Sequence, residues 1–195
     1  PQDYRNKLIV RSQQGQGPDI YRFHNTWIPE IKEVLSYIPS NVLSSKEFEK
    51  TFYPIFKSDL KIGDHYYGIP LMIDGLVLLY NENLFKNAGI NKPPHTWEDV
   101  INNISKLTVR DKEGKLATAG IAIGTASNIE HFSDILGLFI IQNGGDLKNL
   151  ESQEAAGALE SYRKFAEPPD NYWDESMPSA ISAFAQEKVA IILVP

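Results

Sequence analysis

The sequence predicts an α/β fold on the strength of three observations. Apolar residues recur with helical spacing in more segments than with strand spacing. The helical segments alternate along the chain with short apolar segments of strand type. Those strand segments are not paired as hairpins. Alternation of this kind is typical of α/β architectures, in which helices cover a sheet.

The first part of the chain carries two helical patterns. Residues 27–38 place several apolar side chains on one helical face, and Asn25 or Thr26 is a suitable N-cap for that helix. A second helix is predicted over residues 48–56, with Pro54 bending it.

The central stretch, residues 64–85, combines turn residues, a long apolar run and a single carboxylate within that run. Its residues 71–79 are almost all apolar and are bounded by turn residues, which predicts a strand buried on both faces. A single carboxylate, Asp74, lies inside this run. Because an unpaired buried carboxylate is costly, we expect Asp74 to have a partner, to face water or to meet a polar ligand.

The remaining sequence continues the alternation of helices and strands. Residues 82–88 predict a short helix that ends at Gly89. Thr96 and Asp99 have the spacing of a capping box, and Trp97 begins the apolar face of the helix that it opens. The other predicted elements are a strand at 120–124, helices at 129–140, 155–166 and from 178, and a strand at 189–194.

The composition excludes several classes of function. The formal net charge is −6 and no basic stripe is present, so a nucleic-acid partner is not expected. The 4 histidines lie far apart without metal-ligand spacing, and there is no cysteine. No motif for a phosphate loop or a nucleophile elbow is present, so neither a cofactor nor an enzymatic reaction is expected.

The sequence lacks two features of membrane targeting. No apolar run approaches the roughly 20 residues that a membrane helix needs. The first residues do not have the pattern of a signal peptide. The chain opens on a helical pattern and closes on a strand pattern that no turn ends, so we expect an internal fragment of a longer protein.

Five motifs of the chain together point to one protein family. The motifs are GQGPDIYRF at 15–23, HYYGIPLMIDGLVLLYNENLF at 65–85, AGINKPPHTWEDV at 88–100, QNGGDL at 142–147 and FAQEKVAIILVP at 184–195. In their order and approximate spacing, over essentially all 195 residues, they resemble the extracellular solute-binding proteins of sugar-type ABC transporters, the family that includes the maltodextrin-binding proteins.

This resemblance implies a periplasmic-binding-protein-like fold of type II, with two α/β lobes that close on a ligand by hinge motion. It assigns residues 1–70 to the N-terminal lobe and 71–195 to the C-terminal lobe, with the crossover near 68–81, and the fold is expected to be incomplete at both ends. The family usually has glycine where this chain has Glu187, so we expect the turn there to avoid positive φ.

The resemblance also implies a binding function that involves no enzymatic reaction. The full-length protein is expected to capture a sugar or oligosaccharide in the cleft and to deliver it to the ABC permease subunits in the membrane. It is expected to be monomeric, extracytoplasmic and anchored by a lipid or otherwise tethered to the membrane.

Asp74 is the first candidate for a ligand contact. In the family, the group at this place faces the cleft and accepts hydrogen bonds from sugar hydroxyls. A carboxylate suits this role because its oxygens only accept, whereas a hydroxyl donates. The alternative is a structural carboxylate that caps neighbouring backbone.

The other candidate contacts each have a structural alternative. Aromatic rings can stack on the C–H faces of a sugar, and helix N-termini suit polar ligands. Trp27, however, also begins a helical apolar face, and Trp173 can cover the core. Ser127 or Asn128 can act as an N-cap. The candidates are Phe23, His24, Asn25, Thr26, Trp27, Asn128, Glu130, His131 and Trp173.

Two alternative functions remain open from the sequence. The same fold can bind another solute, such as a polyamine, a peptide or a metal. A glycosidase would need a carboxylate pair, for which Asp74 with Asp59, Asp64 or Glu82 is available. Pairs of this kind occur in any acidic chain, so we favour sugar binding.

Overall fold

The computed structural model describes residues 2–195, which form two compact units. Unit 1 ends at Ile73, and unit 2 comprises Asp74–Pro195. This boundary falls inside the predicted crossover stretch, 68–81. The assignment of the two units to lobes stays a prediction.

Unit 1 is built from short helices and one small antiparallel sheet. Its core contains Phe48 and Tyr66, whose stacked rings have centroids 3.8 Å apart. The helices are α1 (Gln2–Gln13), α2 (Ile28–Ile31), α3 (Ser45–Thr51) and α4 (Ile55–Leu60), and the paired strands are β1 (Lys61–Ile62) and β2 (His65–Tyr66).

The helix predicted over residues 27–38 is broken. Only α2 is α-helical, and 3-10 turns flank it at Asn25–Trp27 and Lys32–Val34. The chain is extended at Leu35, and the Ile38 N–H donates to the Tyr66 carbonyl instead of continuing a helix. Ile28, Leu35 and Ile38 still pack in the unit 1 core, so the apolar spacing indicated burial rather than one continuous helix.

The strand predicted over residues 71–79 is also wrong in its extent and burial. Only β3 (Val77–Tyr80) is a strand, and its exposed and half-buried residues alternate. The preceding apolar residues are exposed; Leu71, for example, is 73% exposed. Asp74 is exposed as well, so no carboxylate is buried here.

Unit 2 contains the larger core. Strand β6 (Ile191–Val194) pairs antiparallel with β3, and on its other edge it bonds to the predicted strand segment 120–124 through Ala122 N–H and Ile191 O, 3.0 Å apart. The other elements are α5 (Glu82–Asn87), α6 (Trp97–Leu107), β4 (Val109–Arg110), β5 (Leu116–Thr118), α7 (Phe132–Gln142), α8 (Gln153–Lys164) and α9 (Ala180–Ala185).

Two predicted helix boundaries are confirmed in unit 2. Thr96 and Asp99 form a capping box in which both reciprocal hydrogen bonds are present. Gly89 follows α5 with φ of 71°, the left-handed conformation of a residue just after a helix.

A buried hydrogen-bonded node holds two loops of unit 2 together. Trp173 is fully buried, and its Nε1 donates to Thr125 Oγ1 and Asn128 Oδ1, both at 3.0 Å. Asn128 Nδ2 donates to the carbonyls of Asp174 and Met177. All polar atoms of the Asn128 side chain are therefore occupied. Asn128 does not cap α7, because the N-cap is His131, without a side-chain hydrogen bond.

The hydroxyl of a buried tyrosine, Tyr162, extends this node. The Tyr162 hydroxyl donates to the Thr125 carbonyl at 2.6 Å. Burial raises the pKa of Tyr162 to about 12, so the hydroxyl keeps its proton and continues to donate throughout the physiological pH range.

Glu187 corrects the expectation of negative φ. Its φ is 56°, and it occupies the left-handed position after α9. Glu187 N–H donates to the Phe184 carbonyl, and Lys188 N–H donates to the Ala183 carbonyl. These two bonds form a Schellman motif, which demands positive φ at this position whichever residue occupies it.

Replacing Thr96 with alanine is expected to lower the free energy of unfolding by about 1 kcal/mol, because the first turn of α6 loses its cap. Chemical denaturation measures this change. Ser105→Ala, an exposed change inside the same helix, is the control and should be neutral or slightly stabilising. Equal effects of the two variants would contradict a capping role for Thr96.

Asn128→Ala is expected to cost about 3 kcal/mol of unfolding free energy, because it leaves two partly buried carbonyls without a donor. The exposed Asn102 in α6 provides the matched control, Asn102→Ala. Denaturant melts of both variants decide the point, and a loss below about 1 kcal/mol for Asn128→Ala would show that the node is dispensable.

Glu187→Gly is expected to stabilise the protein by about 1 kcal/mol, since glycine enters the left-handed region without the steric cost of a Cβ. Lys188→Gly at the next position, which lacks positive φ, is expected to destabilise. The comparison uses equilibrium unfolding, and destabilisation by Glu187→Gly would contradict strain at this turn.

Candidate functional site

The candidate residues divide between the two units, and each group is described by itself. Asp74, Asn128, Glu130, His131 and Trp173 belong to unit 2. The five residues of segment 23–27 belong to unit 1.

Unit 2 has an open groove of about 430 Å³ that brings Asp74 and His131 together. These two are the titratable side chains in its lining, and the rest of the lining is apolar. Its apolar members are Leu79, Ile181, Phe184, Ala185, Ile192, Val194 and Pro195.

The elements that carry the groove explain its composition. Asp74 lies shortly before β3, and His131 lies at the N-terminal end of α7. Phe184 belongs to α9, which the Schellman turn joins to the segment entering β6. The groove is therefore the place where the start of β3 and two helices meet around β6.

The two titratable groups of the groove differ in their partners. Within unit 2, Asp74 makes no hydrogen bond or ion pair with the described residues, so its carboxylate oxygens are free to accept. His131 Nδ1 lies 3.6 Å from Asp134 Oδ2, and its side chain is 34% exposed. A carboxylate, an imidazole and an apolar wall suit a ligand that has both hydroxyl groups and an apolar face.

Glu130 has a different setting from His131, its neighbour. Burial raises its pKa, but a hydrogen bond from the Ser179 side chain and backbone donors, including Ile181 N–H, outweigh this and hold the pKa below its ordinary value. Ser179 and Ile181 belong to the N-terminal end of α9. Glu130 does not line the groove.

Asn128 and Trp173 are parts of the buried node. Trp173 has no exposed surface, and its indole N–H is already bonded. The structural alternative for Trp173, that it covers the core, is the one observed. Sequence pattern did not separate it from a cleft residue because it lies in a loop without apolar periodicity.

The groove also contains residues that the sequence analysis did not single out. Phe184 and Ile181 project from α9, where their spacing indicated only an apolar helix face. The signal that identifies them is their position just before β6, and this is visible only once the sheet is assembled.

A second depression, of about 580 Å³ and with several charged lining residues, also lies in unit 2. Its charged groups are mostly paired with one another or with near neighbours: Arg163 with Glu167, Glu175 with Ser127. Because most of these charged groups already have partners, few of them are free to bind a ligand. The lining residues are Gly124, Thr125, Ala126, Arg163, Ala166, Glu167, Asp174 and Glu175.

In unit 1, the aromatic members of segment 23–27 have structural contacts. Phe23 packs on the unit 1 core, and a Cβ at Gly68 would lie only 2.8 Å from its Cζ. Trp27 is 6.1 Å from the Tyr4 ring between centroids, and the Arg5 guanidinium lies 5.7 Å from its centroid. Both rings are only partly exposed.

The polar members of the same segment are exposed. His24 is the N-cap of the 3-10 turn, and its Nδ1 accepts from the Thr26 N–H at 3.3 Å. Asn25 Nδ2 donates to Asp59 Oδ2 at 2.8 Å. Neither Asn25 nor Thr26 caps a helix as predicted, because His24 caps the 3-10 turn and the N-cap of α2 is Trp27, which makes no capping hydrogen bond with its side chain.

Residues 2–195 lack two further features. Within this range, no group of three or more histidine or acidic side chains is arranged to hold a metal ion. No helix in this range is both long enough and apolar enough to cross a membrane.

Two curated proteins are similar to this chain in sequence. A maltotriose-binding protein of Pyrococcus abyssi is 24% identical over 98 residues, which cover 50% of this chain and 20% of that protein. A diacetylchitobiose-binding protein of Streptomyces coelicolor is 23% identical over 193 residues, which cover 94% of this chain and 43% of that protein.

Solved structures show the same fold. An ABC transporter solute-binding protein of Thermotoga lettingae, bound with alpha-D-tagatose, superposes with a TM-score of 0.71 at 25% identity, covering 99% of this chain and 52% of that one. A cyclic alpha-maltosyl-1,6-maltose binding protein of Arthrobacter globiformis gives a TM-score of 0.76 at 19% identity, with 50% of it covered. The chain thus spans about half of these structures.

These likenesses confirm the predicted fold class, an α/β fold of the type II periplasmic-binding-protein kind. They also agree with a family match that extends over residues 1–195. The chain belongs to the family of bacterial extracellular solute-binding proteins.

Proposed function

We propose that the full-length protein is the sugar-binding component of an ABC importer. The observation that carries this proposal is the unit 2 groove, in which the unpaired carboxylate of Asp74 lies beside His131 and an apolar wall. Family membership supports the proposal. The names of the relatives supply the class of ligand, since they bind maltotriose and diacetylchitobiose.

The groove has the two kinds of surface that a sugar needs. Hydroxyl groups donate to a carboxylate in charge-assisted hydrogen bonds, which are the stronger kind. The C–H faces of a sugar ring pack on apolar and aromatic groups, a role available to Phe184. Asp74 and His131 then set the orientation, and the apolar wall contributes contact area.

The proposed role includes delivery as well as capture. The protein hands its sugar to permease subunits in the membrane and works on the extracytoplasmic side, held there by a lipid anchor or another tether. We propose that it is monomeric and carries out no reaction of its own, in keeping with the relatives, which are named as binding proteins.

The function predicts that a sugar raises the melting temperature of the full-length protein, because a ligand that binds only the folded state stabilises it. The panel contains maltotriose, diacetylchitobiose and D-tagatose. Asp74→Asn is expected to weaken binding of the stabilising sugar about tenfold in calorimetry, the cost of one charge-assisted hydrogen bond.

Asp170→Asn is the matched control, since it makes the same charge change at another exposed position of unit 2; its affinity should equal that of the unsubstituted protein. Stabilisation by spermidine, a peptide or a metal ion but by no sugar would contradict the proposal. Turnover of a glycoside that is lost in Asp74→Asn would indicate a hydrolase instead.

A further inference from the structure

We propose that Asp59 is a positioning residue for ligand binding, which turns the side-chain amide of Asn25 so that its carbonyl oxygen is presented to the sugar. This inference rests on the proposed function and deepens it, since it names the group in unit 1 that selects for a hydroxyl donor.

The contact joins two elements that are distant in the sequence. Asn25 begins the 3-10 turn Asn25–Trp27 and is exposed, whereas Asp59 is half-buried near the end of α4. The Asn25 Nδ2 to Asp59 Oδ2 distance is 2.8 Å. Helix α4 packs against this turn, so the carboxylate comes from a supporting element beside the segment that displays Asn25.

The chemistry of the pair determines which way the amide faces. A carboxylate offers only acceptors, so it draws the NH₂ group of an asparagine and excludes the carbonyl oxygen. Asn25 Oδ1 is thereby turned away from Asp59. Among the described residues of unit 1, Oδ1 has no hydrogen-bond donor, so the acceptor remains available to a hydroxyl group.

The other members of segment 23–27 are less available for this role. His24 Nδ1 is used by the Thr26 N–H and lies 2.9 Å from Thr26 Oγ1. Phe23 and Trp27 pack against neighbouring side chains within unit 1. Asn25 is thus the exposed side chain of the segment whose orientation is set by a separate, partly buried charge.

A simple tether is the structural alternative, and Asp59→Asn distinguishes the two. An asparagine at 59 keeps the size and can still make one hydrogen bond to Asn25, but it accepts through one end of its amide and donates through the other. A tether therefore survives this change, whereas the enforced direction of the Asn25 amide is lost. Asp59→Leu removes both.

The experiment measures affinity for maltotriose, diacetylchitobiose and D-tagatose in the full-length protein, followed by the mono-deoxy derivatives of the sugar that binds tightest. In the unsubstituted protein, besides any derivative that lacks the hydroxyl bound by Asp74, a further derivative should bind about tenfold more weakly, because it lacks the hydroxyl that donates to Asn25. In Asp59→Asn and Asp59→Leu this penalty should fall to about threefold or less. The parent sugar should bind Asp59→Leu about tenfold more weakly.

Asp64→Asn, the same charge change at an exposed position of unit 1, is the control and should keep both affinity and penalty. Melting temperatures without sugar show whether each variant is folded, and Asp59→Asn decides the matter if Asp59→Leu does not fold. An unchanged deoxy-sugar penalty in Asp59→Asn overturns the inference, as does unchanged sugar binding in Asn25→Ala. Absence of binding by every panel sugar to the unsubstituted protein is a failure of the proposed function instead.

Discussion

The pairing of β6 on both of its edges is the constraint from which the candidate groove of unit 2 follows. Ile191 and Ile192 of β6 are almost completely buried, and their backbone groups must then find partners within the protein. Strand β3 supplies one set and the segment beginning at Ala119 supplies the other. Because β3 runs antiparallel to β6, the chain just before β3 lies beside the end of β6.

The same constraint places α9. The Schellman turn reverses the chain within a few residues, so α9 ends close to the start of β6 and its apolar residues reach the groove. Positive φ at Glu187 has a steric cost. The motif persists because the hydrogen bonds of the helix end and the burial of β6 together determine the backbone there.

The candidate ligand contacts differ in whether their polar atoms already have hydrogen-bond partners within the protein. Buried polar atoms are almost always paired in native proteins, and the atoms of Asn128 and Trp173 follow this rule within unit 2. Asp74 and Asn25 lie at exposed positions, where water can satisfy an acceptor. The side chains of Asn25 and Asn128 thus differ in how far the protein itself satisfies their polar atoms.

The sequence by itself determined the fold class, the family resemblance and the helices that local chemistry specifies. The capping box at Thr96 and the stop at Gly89 depend on residues within a few positions of each other, so local pattern was sufficient. Tertiary structure decided the rest. The apolar run before β3 is exposed although its composition indicated burial, because burial depends on what packs against a segment. Likewise, Asn25 and Trp173 have hydrogen-bond partners 34 and 45 residues away in the sequence, and no local spacing records such contacts.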